Sequence, residues 1–212
     1  MFDELWPGGP KFHQAEYGFK LGTDSVLLAH FTNPTRAKKI LDLGCGAGVL
    51  TVLTAYKAPK AQVLGIEIQP ESAAVCRENM AANGFAPENI LEGDLREHRK
   101  LFDAGSFDLV ISNPPYFPAN AGGGPSRSEI CCSFEELCTA ANRLLKTGGR
   151  FSFVHRPERL TDLLCTLRAH RLEPKRLRFV TCAPDRSPSA LLIEAVKNGG
   201  AGLEILPPLI TL

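Results

Sequence analysis

The sequence predicts an α/β protein built on a mostly parallel sheet of seven strands, with an antiparallel hairpin at its C-terminal edge. Three observations predict it. Apolar runs of four to six residues alternate with helical stretches along nearly the whole chain, the pattern of repeated βα units. The first of these runs, Lys39 to Leu43, passes through Gly44-Cys45-Gly46-Ala47-Gly48 straight into an apolar helix from Val49 to Tyr56. The last two, Lys175 to Thr181 and Ala190 to Val196, lie too close for a crossover helix and must be antiparallel neighbours.

Taken in order, the chain begins with a Gly/Pro-rich stretch and Tyr17 to Asp24, which leads into the short apolar helix Ser25 to Phe31 with Thr23 or Asp24 as its cap. The cap is the first reading of this pair; a carboxylate facing a cofactor amine is the other reading of Asp24, which sequence alone does not show. Val63 to Ile66 forms the second strand and ends in Glu67. Pro70, a favoured first-turn residue, opens a helix that Asn83-Gly84 closes. Ile90-Leu91 leads to Gly93-Asp94, Phe107 to Ser112 forms the next strand, and Phe134 to Leu145 a helix closed by Gly148-Gly149. Phe151 to Val154 and a helix from about Pro157 to His170 precede the hairpin. The whole chain, 1–212, is expected to be one domain, with residues 1–35 covering a core formed by 36–212.

Composition restricts the function classes. Of 212 residues, 44% are hydrophobic and 22% charged, the profile of a soluble globular protein. No run reaches the ~18 apolar residues of a membrane span, and the N-terminus lacks a signal layout, so a cytoplasmic protein is expected. The seven cysteines are odd in number and include no CxxC pair, so they are expected to be reduced thiols rather than disulfides or zinc ligands. Arg150 to Arg178 holds eight basic residues against three acidic ones, a local +5 in a chain of net +1. Such an excess attracts phosphate, though a solvated helix face has the same signature.

A glycine turn at the carboxyl end of the first strand of an open α/β sheet is a nucleotide site. Its spacing disfavours a dinucleotide, because the third glycine, Gly48, comes one residue early and Val49 fills the position a small residue would need. The second focus is Asn113-Pro114-Pro115-Tyr116, directly after the strand ending at Ser112. Two prolines hold φ near −65° and cannot donate to a ladder, so the strand ends there as a stiff edge of acceptors beside an aromatic ring. An amine conjugated to a ring or a carbonyl is a poor nucleophile because its lone pair is delocalised. The Asn113 side-chain oxygen and the Pro114 carbonyl can accept its two N–H bonds and localise that pair, while Tyr116 stacks on the planar substrate. Such a transfer needs neither a metal nor a strong base. The irregular stretch Ala119 to Ser128 follows this edge as a candidate lid or substrate loop, with a plain surface loop as the default reading.

Asp42-x-Gly-x-Gly-x-Gly with the strand-end acid Glu67 resembles the S-adenosylmethionine (SAM) site of Rossmann-like methyltransferases. The resemblance implies that Glu67 holds the ribose hydroxyls, with Ile68 beside it. Gly44, Gly46 and Gly48 let the backbone approach the cofactor, Asp42 orients its amino-acid end, and Asp94 with Leu95 borders the adenine. Thr23 and Asp24 complete the implied cofactor set, together with Asn113. The Asn-Pro-Pro-Tyr edge resembles the motif shared by adenine-N6 methyltransferases and by glutamine-N5 methyltransferases of release factors.

Val154-His155-Arg156-Pro157-Glu158-Arg159, Leu172 to Val180, Leu191 to Glu194 and Leu206-Pro207-Pro208-Leu209, with Phe19 to Asp24 and Leu27-Leu28, resemble the bacterial tRNA(Val) adenine-37 N6-methyltransferase family. What this implies is methylation of an adenine in a single-stranded tRNA loop, where base extrusion costs little. Arg156, Arg159, Lys175 and Arg176 are then the phosphate contacts; for Arg156 and Arg159 the other reading is pairing with Glu158 or Asp162 at a helix start. The chain departs from the family at Ser128, which stands where an Arg-His-Glu element has its histidine. A monomer is expected. The other readings are glutamine-N5 methylation of a release factor and a tRNA-binding module without catalysis.

Overall fold

The computed structural model describes residues 2–13, 22–114 and 132–211. Pro115, Tyr116 and the Ala119 to Ser128 stretch, with Ser128, lie outside the described residues. Strands β1 (Phe2–Glu4) and β2 (Lys11–His13) form a small antiparallel hairpin. Helix α1 (Thr23–Phe31) follows, then β3 (Lys39–Leu43), α2 (Val49–Lys57), β4 (Gln62–Glu67), α3 (Pro70–Ala82), β5 (Ile90–Glu92), α4 (His98–Leu101) and β6 (Phe107–Ser112). The second half carries α5 (Phe134–Leu144), β7 (Leu145–His155), α6 (Leu160–Ala169), β8 (Leu172–Thr181), β9 (Ala190–Lys197) and the short strands β10 (Glu204–Ile205) and β11 (Leu209–Ile210).

The main sheet has the order β10-β8-β9-β7-β6-β3-β4-β5, with β11 also paired to β8. Strands β3 to β9 are the seven expected. Strands β5, β4, β3, β6 and β7 are parallel, and β9 is inserted antiparallel between β7 and β8. The two-residue strands β10 and β11 extend the β8 edge, which apolar periodicity is too short to show. One face packs α1, α2 and α3 over Ile40, Val63, Leu109, Ile111 and Leu192. The other packs α5 and α6 over Leu41, Leu43, Val110, Phe151 and Phe153. Among the described residues no helix is long and apolar enough to cross a membrane.

Local sequence explains most boundaries. Pro70 stands at the first position of α3, and Gly84 beyond its end has φ +75°, which glycine adopts without strain. Ser133 and Glu136 form a reciprocal capping box that starts α5. Two expectations are corrected. The N-cap of α1 is Gly22 and no side chain caps it, so Thr23 and Asp24 are first-turn residues instead. Gly148-Gly149 does not close α5, which ends at Leu144; the pair lies inside β7. A Cβ on Gly149 would sit 2.9 Å from the Lys146 carbonyl oxygen, so the glycine permits a close backbone approach where the β6–β7 register shifts.

Two tethers position the elements around the carboxyl edge of the sheet. Asn79 of α3, buried, accepts from the His13 N–H at 2.6 Å and donates to the Ala47 carbonyl at 2.8 Å, tying the N-terminal hairpin to the glycine turn. Lys57 Nζ donates to the Ala29 and Thr32 carbonyls at 2.6 Å each, satisfying the C-terminus of α1. Because Ser25 touches Asn113 at the carboxyl edge while Asn33, just past α1, accepts from Arg150 near the opposite edge, α1 runs antiparallel to β7.

Candidate active site

The carboxyl ends of β3, β4, β5, β6 and β7 share one edge, which gathers the expected residues. Gly44, Gly46 and Gly48 all have positive φ, at +73°, +53° and +88°. A Cβ on Gly44 or Gly46 would meet nothing within 4 Å, so these two face open space that a ligand can enter. Gly48 differs: a Cβ there would lie 2.5 Å from Cys76 Sγ on α3, which gives this glycine a packing role as the left-handed N-cap of α2.

Glu67 is buried at the end of β4, and both its oxygens accept backbone hydrogen bonds, Oε2 from Gly46 N–H at 2.8 Å and Oε1 from Gln69 N–H at 2.9 Å. Neighbouring Ile68 is 40% exposed, an apolar surface next to the acid. Asp42 is buried on β3, with Oδ2 accepting from Thr51 Oγ1 at 2.7 Å and Oδ1 without a partner among the described residues. Burial, reinforced by the charge of Glu67, raises its pKa to about 7 despite the Thr51 bond. Asp94 caps the 3-10 turn Leu95–Glu97 by accepting from Arg96 N–H, and the Arg96 guanidinium holds its carboxyl below the usual range. Leu95 packs against the core beside it.

Asn113 closes the edge from the β6 side. Its Nδ2 donates to Ser25 Oγ at 3.0 Å, and its Oδ1 is buried with no partner among the described residues. A buried, unsatisfied amide oxygen costs about 1–3 kcal/mol unless something donates to it. Ser112 Oγ, fully buried, donates to the Leu43 carbonyl at 2.7 Å and fixes the end of β6 against the end of β3. The site therefore pairs a glycine turn holding an acid with an amide acceptor that lacks a donor among the described residues.

The model of the methyltransferase small domain matches residues 18–167. The chain belongs to the methyltransferase small-domain family. It is 33% identical over 193 residues to the tRNA1(Val) (adenine(37)-N6)-methyltransferase of Porphyromonas gingivalis strain W83, spanning 85% of this chain and 76% of the relative. The Yersinia enterocolitica protein of the same name is 31% identical over 173 residues, 78% of this chain and 66% of the relative. Among solved structures, a predicted O-methyltransferase of Agrobacterium tumefaciens superposes with TM-score 0.73 at 26% identity over 89% of this chain and 87% of that one. The fold is shared also with the Thermus thermophilus 16S rRNA N2 G1207 methyltransferase, solved with AdoMet and guanosine: TM-score 0.64, 21% identity, 93% and 50% coverage.

In this methyltransferase the four basic residues expected at the nucleic acid divide into two pairs. Arg156 and Arg159 follow β7 on the same edge as Asn113, since Ser112 pairs with Phe153 in register. They also make the local ion pairs expected at a helix start, with Glu158 at 3.5 Å and Asp162 at 3.1 Å, both solvent-exposed. Lys175 and Arg176 lie elsewhere. Lys175 Nζ donates to the Gly200 and Ala201 carbonyls, and Arg176 pairs with buried Glu194 at 3.3 Å while stacking over the Phe31 ring at 4.8 Å. In register Arg176 is level with Ser152 and Ile111, below the carboxyl edge, so its contacts are those of a brace between β8, β9 and α1. His155 is buried beside them and stays neutral, its pKa lowered by burial to about 4; the Arg156 N–H donates to its Nδ1 at 2.8 Å. Cys45, Cys76, Cys138, Cys165 and Cys182 are free thiols.

Ser25, Ser112 and Asn79 are site residues that sequence reading missed. Their partners are 88, 69 and 66 or 32 residues away, so no local pattern marks them. A serine directly after the Thr23-Asp24 pair was the one signal available for Ser25.

Proposed function

We propose that this methyltransferase transfers a methyl group from SAM to N6 of an adenine in tRNA, at position 37 of tRNA1(Val). The observation that carries the reading is the Oδ1 of Asn113, without a partner among the described residues and held at the same sheet edge as the glycine turn and Glu67. The names of relatives that match 85% of the chain support the choice of tRNA.

The residues present fit SAM. Open space at Gly44 and Gly46 admits it, Asp42 Oδ1, without a partner among the described residues, suits its amino-acid end, and Glu67 is oriented by two backbone donors to take ribose hydroxyls. Ile68, Asp94 and Leu95 border the adenine, and Thr23 and Asp24 approach from the first turn of α1. When bound, SAM supplies a methyl group activated by a positively charged sulfur. Asn113 Oδ1 and the Pro114 carbonyl accept the two amine N–H bonds and turn the nitrogen lone pair out of conjugation with the base. With SAM bound, its methyl would pass to that nitrogen as the bond to sulfur broke, and the methylated amine would be acidic enough to lose its proton to water, so no residue of the chain need act as a strong base. Pro115 and Tyr116 complete the edge, Tyr116 by stacking on the extruded base. Arg156 and Arg159 contact the loop phosphates, residues 1–35 cover the site, and the enzyme acts as a cytoplasmic monomer.

The test is nucleoside mass spectrometry of unmodified tRNA incubated with protein and SAM. N6-methyladenosine at position 37 is the expected product, absent with Asn113→Ala. Methyl transfer to a release-factor glutamine with none to tRNA would replace this reading.

A further inference from the structure

We propose that Ser25 is a positioning residue that sets which end of the Asn113 amide faces the substrate. The inference rests on the reading of Asn113 given above and concerns a residue outside its acceptor edge.

An asparagine side chain is nearly symmetric in shape, and rotation of its terminal torsion exchanges an acceptor for a donor. At this site the two ends have opposite consequences. With oxygen outward, Asn113 accepts an amine N–H; with nitrogen outward, it presents two donors to a group that itself donates. Something must choose between them, and neither the strand nor Pro114 does so, because both constrain only the backbone.

Ser25 holds the choice seen in this structure: a hydroxyl can donate or accept, and here its Oγ accepts from the nitrogen end. Its Oγ is 3.0 Å from Asn113 Nδ2, the serine is 4% exposed, and it is the one hydrogen-bond partner of the amide among the described residues. A hydroxyl that accepts from Nδ2 leaves Oδ1 pointing away from α1, which is the end found buried and without a partner among the described residues. The serine is itself fixed. Its N–H donates to the Gly22 carbonyl in the first turn of α1. The far end of that helix is held by Lys57 on the Ala29 and Thr32 carbonyls and by Arg176 over Phe31. A contact spanning 88 residues thus carries the orientation of α1 to the reacting group.

The experiment compares Ser25→Thr with Ser25→Val, which match in shape and differ in the hydroxyl, alongside Ser25→Ala. The expected result is a kcat for Ser25→Val at least about tenfold below that of Ser25→Thr, the worth of one well-placed hydrogen bond. KM for SAM and the melting temperature should be the same for both variants. Equal kcat values for the two, or a Ser25→Ala enzyme within about twofold of the parent, would overturn the proposal. A second readout needs no substrate: in the ¹⁵N-labelled parent, one Asn113 side-chain amide proton exchanges more slowly than the other, and Ser25→Val removes the difference. If the parent protein methylates no tRNA yet keeps that protected proton, the functional reading fails and the orienting contact stands. Loss of tRNA methylation with no protected proton in the parent overturns the contact itself.

Discussion

The backbone N–H of Gly46 donates to Glu67 Oε2 at 2.8 Å, so the turn after β3 and the acid after β4 are one unit rather than two walls. With the Gln69 N–H on its other oxygen, the carboxylate is aimed without needing a ligand. Glu67→Gln is expected to weaken SAM binding at least as much as removal of a single hydrogen bond, about tenfold. An amide has only one oxygen for two backbone donors and would turn its NH₂ toward one of them. Calorimetric titration with SAM measures the loss, and circular dichroism should remain that of the parent.

Cofactor affinity should depend on pH through Asp42. With a pKa near 7, this acid is protonated in the free protein below neutrality and cannot then attract a cationic amino group. Affinity is expected to rise with pH up to about 7 and level off above it, and binding at pH 6 should release close to one proton. Titrations in buffers of different ionisation enthalpy measure that proton, and Asp42→Asn should flatten the profile. For the unliganded fold the sign is reversed. Its folded pKa is raised, so the stabilising contribution is complete below the ordinary value of 3.8 and is lost by about pH 7.

Gly48→Ala should destabilise the protein. Its φ of +88° costs an L-residue about 1–2 kcal/mol, and the new methyl would meet Cys76 Sγ at 2.5 Å. A lowered melting temperature is expected, partly restored in Gly48→Ala/Cys76→Ala, where the clash goes and the backbone strain stays.

The two pairs of basic residues should respond differently. Arg156→Ala/Arg159→Ala is expected to weaken tRNA binding and to reduce the slope of log affinity against log salt by about 2, with no change in SAM affinity. Arg176→Ala removes a partner of buried Glu194 and the stack on Phe31, so it should cost about 1–3 kcal/mol of stability and leave the salt slope unchanged. Filter binding across a salt series and thermal denaturation separate the two outcomes.

The strands and most helices were legible because each apolar run has its own local stop: Gly44 after Leu43, Pro70 after Glu67, Pro114 after Asn113. Glu67 and Asn113 were legible for the same reason, as they close strands whose carboxyl ends must share one edge. Contacts across the sheet were not. The family resemblance marked Arg176 as a phosphate contact, but its pairing with Glu194 on the adjacent strand and its stack over Phe31, on a helix far back in the chain, had no local signature. Gly148-Gly149 read as a helix stop because glycine punctuates both helices and close strand approaches, and only the packing against the Lys146 carbonyl decides between them.

The contacts of Asn79 with His13 and Ala47 have a consequence for the timing of synthesis. The hairpin leaves the ribosome before α3, and its anchor is made 66 residues later. At about 5–20 residues per second it waits roughly 3 to 13 seconds for α3. The glycine turn waits for the same asparagine, 32 residues behind it. One side chain thus ends both delays, and the entrance to the cofactor site takes shape only when α3 has been made.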